Sequence, residues 1–129
     1  MQRLYPPGDV ISLDRVGAIP GLSGLAADER AVWVTSRGGV VPRWAEGTLW
    51  RIDPTTGRVT SSILLEHASA GIALGPQAVW IVSIEGHVLR VDPDAGRVTW
   101  TIALGLYPPN VSGTIVAGAG GVWVATLAR

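Results

Sequence analysis

Short apolar runs, separated by glycine and proline, follow one another along the whole chain. The runs are rich in Val, Ile, Thr and Trp, the residue types that favour strands. No segment has the 3.6-residue spacing of an amphipathic helix. The pattern predicts an all-β chain built from many short strands.

The apolar runs repeat. A strand centred on tryptophan occurs three times, at Val32–Val34, Val79–Ile81 and Val122–Val124. A corner ending in Asp-Pro occurs at Arg51–Pro54 and again, 39 residues later, at Arg90–Pro93. Four strands in a unit of about 40 residues are typical of a β-propeller blade. The spacing therefore predicts an all-β propeller with four-stranded blades and a 39-residue repeat.

The order of the predicted strands shows how the blades are divided. With strands labelled A to D from the propeller axis outward, the chain is predicted to run C-D, A-B-C-D, A-B-C-D, A-B as a single domain over residues 1–129. The first C-D pair is predicted because Gln2–Ile11 resembles Trp50–Val59 with one residue deleted. The repeated tryptophans are predicted to lie in the core between blades: Trp33, Trp80 and Trp123.

The turns between predicted strands C and D support this assignment. Both Asp53–Gly57 and Asp92–Gly96 begin with Asp-Pro and end with glycine. Proline fixes φ near −65° at the second position, and glycine tolerates the positive φ that the exit requires. Asp94 gives the second turn a partial calcium-loop pattern, but Thr55 replaces it in the first turn. A plain hairpin turn is therefore the favoured interpretation of both.

Composition excludes several classes of function. The ten basic and ten acidic residues balance, so no basic surface for nucleic acid is predicted. Cysteine is absent, which excludes disulfides and thiol chemistry. No apolar stretch approaches the roughly 18 residues of a membrane span, and the N-terminus lacks a signal-peptide pattern. The sequence as written predicts a cytoplasmic location without membrane contact, or an extracytoplasmic one if it is a fragment of a longer parent.

The x-Val-Trp-Val strand, the Arg-[Ile/Val]-Asp-Pro corner and the Gly-Arg-Val that follows resemble the YVTN-type and streptogramin-lyase-like β-propellers. This superfamily consists mostly of seven-bladed bacterial proteins, and the resemblance covers nearly the whole chain. It implies the fold more specifically than the function. The superfamily includes sensor domains, binding modules, a ring-opening antibiotic lyase and distant quinoprotein relatives. No catalytic motif can be matched residue by residue, so no catalytic residue is carried over.

The predicted B–C and D–A loops share one face of the propeller, and both predicted insertions, Thr35–Glu46 and Leu106–Ser112, fall there. Irregular loops on a rigid scaffold are where binding residues concentrate. Glu46 and Glu85, each followed by glycine, are interpreted as hairpin-turn residues, and His87 also fits an edge-of-sheet role. The candidate ligand-binding residues of this face are Arg37, Arg43, Trp44, His67, His87, Tyr107 and Asn110. No catalytic residue, metal or cofactor is predicted.

The favoured function is a non-catalytic binding or sensor module that takes a protein or small-molecule ligand on this face. One alternative is a metal-dependent lyase resembling the streptogramin lyases, which would require His67 and His87 to converge on one ion. Others are a quinone-cofactor oxidoreductase and a truncated fragment of a seven-bladed propeller without independent activity. Three blades cannot close a ring. A homodimer is a further possibility, in which Gly113–Ala125 of each chain pairs with Arg3–Val16 of the other and closes six blades.

Overall fold

The computed structural model describes residues 2–3, 11–12, 22–37, 47–105 and 111–126. These residues form twelve strands and no helix, which confirms the all-β prediction. None of them belongs to a helix that could cross a membrane. The strands are β1 (Gln2–Arg3), β2 (Ile11–Ser12), β3 (Leu22–Ala27), β4 (Val32–Arg37), β5 (Gly47–Ile52), β6 (Val59–Leu65), β7 (Ser69–Leu74), β8 (Val79–Ser83), β9 (His87–Asp92), β10 (Arg97–Ala103), β11 (Val111–Gly118) and β12 (Gly121–Thr126).

The strands pair in chain order into four antiparallel sheets. β3–β6 form the first four-stranded sheet and β7–β10 form the second. β1 and β2 form the N-terminal strand pair, and β11 and β12 form the C-terminal strand pair. The register places Trp33 opposite Arg51 in the first sheet and Trp80 opposite Arg90 in the second. The two four-stranded sheets therefore repeat both their topology and their cross-strand pairs.

Three of the sheets pack face to face. One apolar core lies between the two four-stranded sheets, and a second lies between β7–β10 and the C-terminal strand pair. The first strands crowd together, since β7 contacts both β3 and β11. A Cβ atom at Gly24 would stand 2.7 Å from Thr35 Oγ1 and 3.1 Å from Ile72 Cγ2. The arrangement is propeller-like, and the described residues do not close it into a ring.

The repeated tryptophans do not share one environment. Trp33 is 3% exposed in the core between the four-stranded sheets, as predicted. Trp80 is half-buried against the C-terminal strand pair. Trp123 is 58% exposed, so its assignment to the core is wrong for the described structure. The reason is that no described sheet covers the face of the C-terminal strand pair that carries Trp123.

Both predicted insertions are shorter than expected. Strand β4 continues through Ser36 to Arg37, which pairs with Gly47. At the other insertion, β11 already begins at Val111, which pairs with Thr126. Backbone pairing thus extends the strands into segments that the sequence pattern assigned to loops.

The C–D turns follow the predicted chemistry. Gly57 and Gly96 have φ values of 73° and 69°, which confirms the positive φ expected at both exits. Asp92 Oδ1 accepts hydrogen bonds from the backbone nitrogens of Ala95 and Asp94. These two bonds stabilise the charged carboxylate and lower the pKa of Asp92 below its ordinary value.

Gly96→Val should lower the free energy of unfolding by about 1–2 kcal/mol, the cost of a side chain in the left-handed region. A Cβ atom at Gly96 meets nothing within 4 Å, so the loss would come from backbone conformation and not from a clash. The neighbouring exposed residue supplies the control, and Ala95→Val should change stability by less than about 0.5 kcal/mol. Urea unfolding of both variants measures the difference, and equal losses would contradict the turn assignment.

Candidate functional site

Two connections meet at one edge of the second four-stranded sheet, called here the loop edge. The first links β6 to β7 through residues 66–68, and the second is the hairpin between β8 and β9. The backbone nitrogen of Ile84 donates to the carbonyl of Ala68 at 3.0 Å and joins the two connections. Leu104 N donates to the carbonyl of Gly86 at 2.9 Å. The loop edge is thus held by backbone hydrogen bonds.

Three side chains that can ligate metal converge there: His67 from the first connection, and Glu85 and His87 from the hairpin. The two imidazole rings stack with centroids 4.2 Å apart and planes inclined by 13°. Glu85 Oε1 lies 3.6 Å from His67 Nδ1. One ligand atom from each residue falls within 4.8 Å of the others. We refer to these residues as the His–Glu–His cluster.

The local sequence explains how the hairpin presents its two members. Gly86 has φ of 84°, a conformation that glycine adopts without strain, and it turns the chain between Glu85 and His87. The buried hydroxyl of Ser83 accepts a hydrogen bond from the backbone nitrogen of His87 at 2.9 Å. The backbone positions of Glu85 and His87 are therefore set by a tight turn and a buried hydrogen bond.

The cluster combines buried nitrogen atoms with a carboxylate that reaches solvent. The side chain of His67 is 22% exposed and that of Glu85 is 45% exposed. The Nδ1 atoms of His67 and His87 are buried and have no hydrogen-bond partner. An unpartnered buried polar atom costs about 1–3 kcal/mol. Such atoms are uncommon in native proteins, and an unplaced water or ion is a usual explanation.

Two imidazole nitrogens and one carboxylate oxygen form a ligand set that suits zinc and related divalent transition metals. Zinc binds such ligands at about 2.0–2.2 Å, which places neighbouring ligand atoms about 3.4 Å apart in a tetrahedral site. The 3.6 Å between Glu85 Oε1 and His67 Nδ1 is already close to that spacing. The two rings would have to tilt out of their stack to direct both nitrogens at one ion.

A groove lies next to the cluster, between the outer strands of the two four-stranded sheets. Its volume is about 480 Å³. Ile63, Leu89 and Val98 contribute apolar surface to its lining, and Glu66 and Arg97 contribute charged groups. His67 also lines the groove, so a molecule bound there would lie within reach of the cluster.

The structure brings some of the predicted site residues together and leaves others outside its described part. The structure brings His67 and His87 together, and it adds Glu85, which the sequence pattern assigned to a hairpin turn. Arg37 is the last residue of β4, and the structure describes the position of its backbone. The other predicted residues lie outside the described part of the chain: Arg43, Trp44, Tyr107 and Asn110. The Glu85-Gly86-His87 sequence could have indicated that these two side chains lie close together in one hairpin. No spacing along the sequence relates His67 to that hairpin.

No model of a protein family matches the chain, and no curated protein is significantly similar to it. Among solved structures, the chain is similar to Kuenenia stuttgartiensis hydrazine synthase, with a TM-score of 0.63 and 20% sequence identity. The match covers 85% of this chain and 30% of that chain. The matched region therefore corresponds to about 30% of the length of that solved chain, and at such low identity the likeness shows the fold alone.

Proposed function

We propose that this chain is part of a β-propeller and acts as a binding module, whose ligand is held at the loop edge through a divalent transition-metal ion. His67, Glu85 and His87 supply the protein ligands of that ion. The observation that carries the proposal is the convergence of these side chains from two separate connections. The similarity to hydrazine synthase concerns the fold alone and does not contribute to the metal-site proposal.

The propeller assignment rests on how the sheets are built and packed. Two four-stranded antiparallel sheets follow one another in chain order, with neighbouring strands always adjacent in sequence. They pack face to face, and their first strands lie together as inner blade strands do. The tryptophan strands and Asp-Pro corners support membership of the YVTN-type and streptogramin-lyase-like superfamily.

The metal assignment rests on the chemistry of the cluster. Imidazole ligands favour zinc, nickel, copper or iron over magnesium and calcium, which take oxygen ligands. An ion would give the two buried Nδ1 atoms the partner that they otherwise lack. Three protein ligands leave a coordination position open, which is the arrangement of zinc sites that bind an exogenous group. The adjoining groove provides space for the rest of that ligand.

Calorimetric titration of the untagged chain with Zn²⁺ should show one bound ion per chain. His67→Gln, His87→Gln and Glu85→Gln should each abolish the binding, because each removes one ligand and keeps much of the side-chain volume. Glu29→Gln removes the same charge from an exposed residue on the opposite edge and should leave zinc affinity unchanged. The chain has two histidines in all, so no other imidazole can substitute.

Far-UV circular dichroism of each variant separates loss of the site from loss of the fold. A wild-type chain that binds no transition metal would contradict the proposed centre. Variants that stay folded and bind zinc as tightly as the wild type would also contradict it.

The same convergence favours a second candidate, a metal-dependent lyase resembling the streptogramin lyases. Such an enzyme needs histidine and glutamate together with a divalent metal, and the His–Glu–His cluster provides both residue types. The two candidates differ in the fate of the bound molecule. Incubation of a streptogramin antibiotic with the metal-loaded chain, followed by chromatography, should leave it unchanged for a binding module and convert it for a lyase.

A further inference from the structure

The outer strand of the first four-stranded sheet, β6, forms one wall of the groove next to the His–Glu–His cluster. It is the last strand of its sheet, so in the described part of the chain its outer edge pairs with no other strand. Its register with β5 is regular from Leu65, opposite Gly47, to Ser61, opposite Arg51. β10, which forms the other wall, has a register shift near its start. β6 therefore offers the groove a regular and unpaired edge.

The lining shows that the groove passes over this edge. It includes three successive residues of β6, namely Ser62, Ile63 and Leu64. Successive side chains of a strand point to opposite faces of the sheet, and here Ile63 is buried whereas Ser62 and Leu64 are exposed. A groove that borders all three residues must cross the backbone that separates the two faces. The unpaired N–H and C=O groups of an edge strand are thus within its reach.

Two side chains of opposite charge also line the groove. Glu66 directly follows β6, and Arg97 is the first residue of β10. Neither side chain forms a hydrogen bond or an ion pair with any described residue. Asp92 lies opposite Arg97 across the strand pair, but its Oδ1 atom accepts hydrogen bonds from backbone nitrogens of its own turn. The groove therefore contains an anion and a cation that are both available to a ligand.

The two charges belong to opposite ends of the groove. β6 and β10 each begin after a C–D turn and end at the loop edge, so Glu66 lies at the loop edge and Arg97 begins its strand at the opposite edge. Four residues separate Ser62 from Glu66, which corresponds to about 13 Å of extended strand. An extended chain of four residues spans about the same length. The separation of the charges therefore suits a short extended ligand with a cationic and an anionic end.

We propose that the groove binds a short extended peptide with free ends, which adds to β6 as a fifth strand. Its α-carboxylate pairs with Arg97 and its α-ammonium group with Glu66, so the peptide runs antiparallel to β6. The groove volume of about 480 Å³ lies within the range of about 300–1,000 Å³ that is usual for ligand sites. Addition of an extended peptide to an unpaired sheet edge is a recurring mode of recognition.

The contribution of the metal to this binding rests on the proposed function. His67 belongs to the His–Glu–His cluster and also lines the groove, so a peptide whose amino end lies at Glu66 has its first carbonyl beside the cluster. That carbonyl oxygen suits the coordination position that three protein ligands leave open. The contacts with β6, Glu66 and Arg97 need no metal. Zinc should therefore strengthen peptide binding without being essential for it.

Calorimetric titration of the zinc-loaded chain with the peptide Ala-Val-Val-Ala should show one bound peptide per chain. Amidation of its carboxyl end and acetylation of its amino end should each weaken binding at least about tenfold, because each removes a charge-assisted contact. Arg97→Gln should weaken binding of the free acid to the same extent and abolish the difference between acid and amide. Glu66→Gln should do the same for the free and acetylated amino ends.

The chain offers a matched control for each charge. Arg58→Gln changes the arginine equivalent to Arg97 one repeat earlier, which is exposed and outside the groove. Glu29→Gln removes an exposed carboxylate at the opposite edge. Both control variants should bind the peptide as tightly as the wild type, and circular dichroism of all variants should show an unchanged fold.

Methylated peptides test the strand pairing itself. A strand at the edge of an antiparallel sheet directs only alternate N–H groups to its partner. Methylation of the second or of the third peptide nitrogen should therefore have unequal effects, one abolishing binding and the other changing it little. Equal affinities of the two methylated peptides would contradict addition to β6.

Zinc titration without peptide keeps the failure of this proposal separate from that of the metal centre. A chain that binds zinc but not the peptide overturns the peptide site and leaves the metal centre intact. A chain that binds the peptide with these end-group preferences but binds no zinc contradicts the metal centre alone. An affinity that neither amidation nor Arg97→Gln changes in folded protein also overturns the peptide site.

Discussion

Replacing Trp33 with alanine should lower the free energy of unfolding by about 3–5 kcal/mol, as expected for a buried large-to-small change. Trp33 is 3% exposed and belongs to the core between the two four-stranded sheets. The guanidinium of Arg51 lies 5.4 Å from the centre of its ring. The substitution removes the contact between sheets and the cation–π interaction together. Urea unfolding followed by tryptophan fluorescence and circular dichroism measures the loss.

Trp100 provides a control of the same residue type. It is 58% exposed on β10, and its ring lies edge-on to Trp80 at 6.4 Å. An aromatic pair of this geometry is worth about 0.5–1.5 kcal/mol, so Trp100→Ala should cost about 1 kcal/mol. If the two alanine variants lost equal stability, the core could not lie where the structure places it.

The internal repeat predicts strands well because it reports the local chemistry of each segment. The Val-Trp-Val strands and the Asp-Pro-x-x-Gly turns recur with the same alternation and the same turn residues, and the structure builds strands and turns from them. Whether a side chain is buried depends in addition on what packs against it. Trp33 and Trp123 occupy equivalent strand positions, yet one lies between two sheets and the other on an uncovered face. No property of the residue itself distinguishes them.

The candidate site shows the same limit, because local sequence does not determine which connections come into contact. Strand alternation predicts that the B–C and D–A connections share one edge, and this holds for the connections that carry the His–Glu–His cluster. The contact between His67 and Glu85 depends on the connection from β6 to β7, which links the two four-stranded sheets. It also depends on the hydrogen bond from Ile84 N to the carbonyl of Ala68. Neither can be derived from spacing along the chain. Glu85 was interpreted through its neighbour Gly86 as a turn residue, and it is one, while its carboxylate also faces the imidazole of His67.

The arginines that the repeat places at equivalent positions make the same kind of contact in both four-stranded sheets. Arg90 lies 5.9 Å from the ring centre of Trp80 and 5.8 Å from that of Trp100. This repeats the pairing of Arg51 with Trp33 on the preceding sheet. A guanidinium above an indole face contributes about 0.5–1 kcal/mol at an exposed site. The repeated arginines therefore add cross-strand contacts within the two four-stranded sheets.

The last prediction compares two leucines at equivalent positions. Leu65→Ala should lower the free energy of unfolding by about 2–5 kcal/mol, the range for a leucine in a packed core. Leu65 is fully buried at the end of β6, where it pairs with Gly47. Leu104 follows β10 at the equivalent position and lines the open cavity beside β12, half-buried. Leu104→Ala should cost about 1 kcal/mol, because only part of its side chain is removed from water.

Urea unfolding of both variants, followed by circular dichroism, measures the two losses. The leucine side chain is the same in each case, so the difference reports how completely the next sheet covers each position. Leu65 packs between the two four-stranded sheets, whereas Leu104 packs against the second core and also faces the open cavity. Equal losses would contradict the described packing.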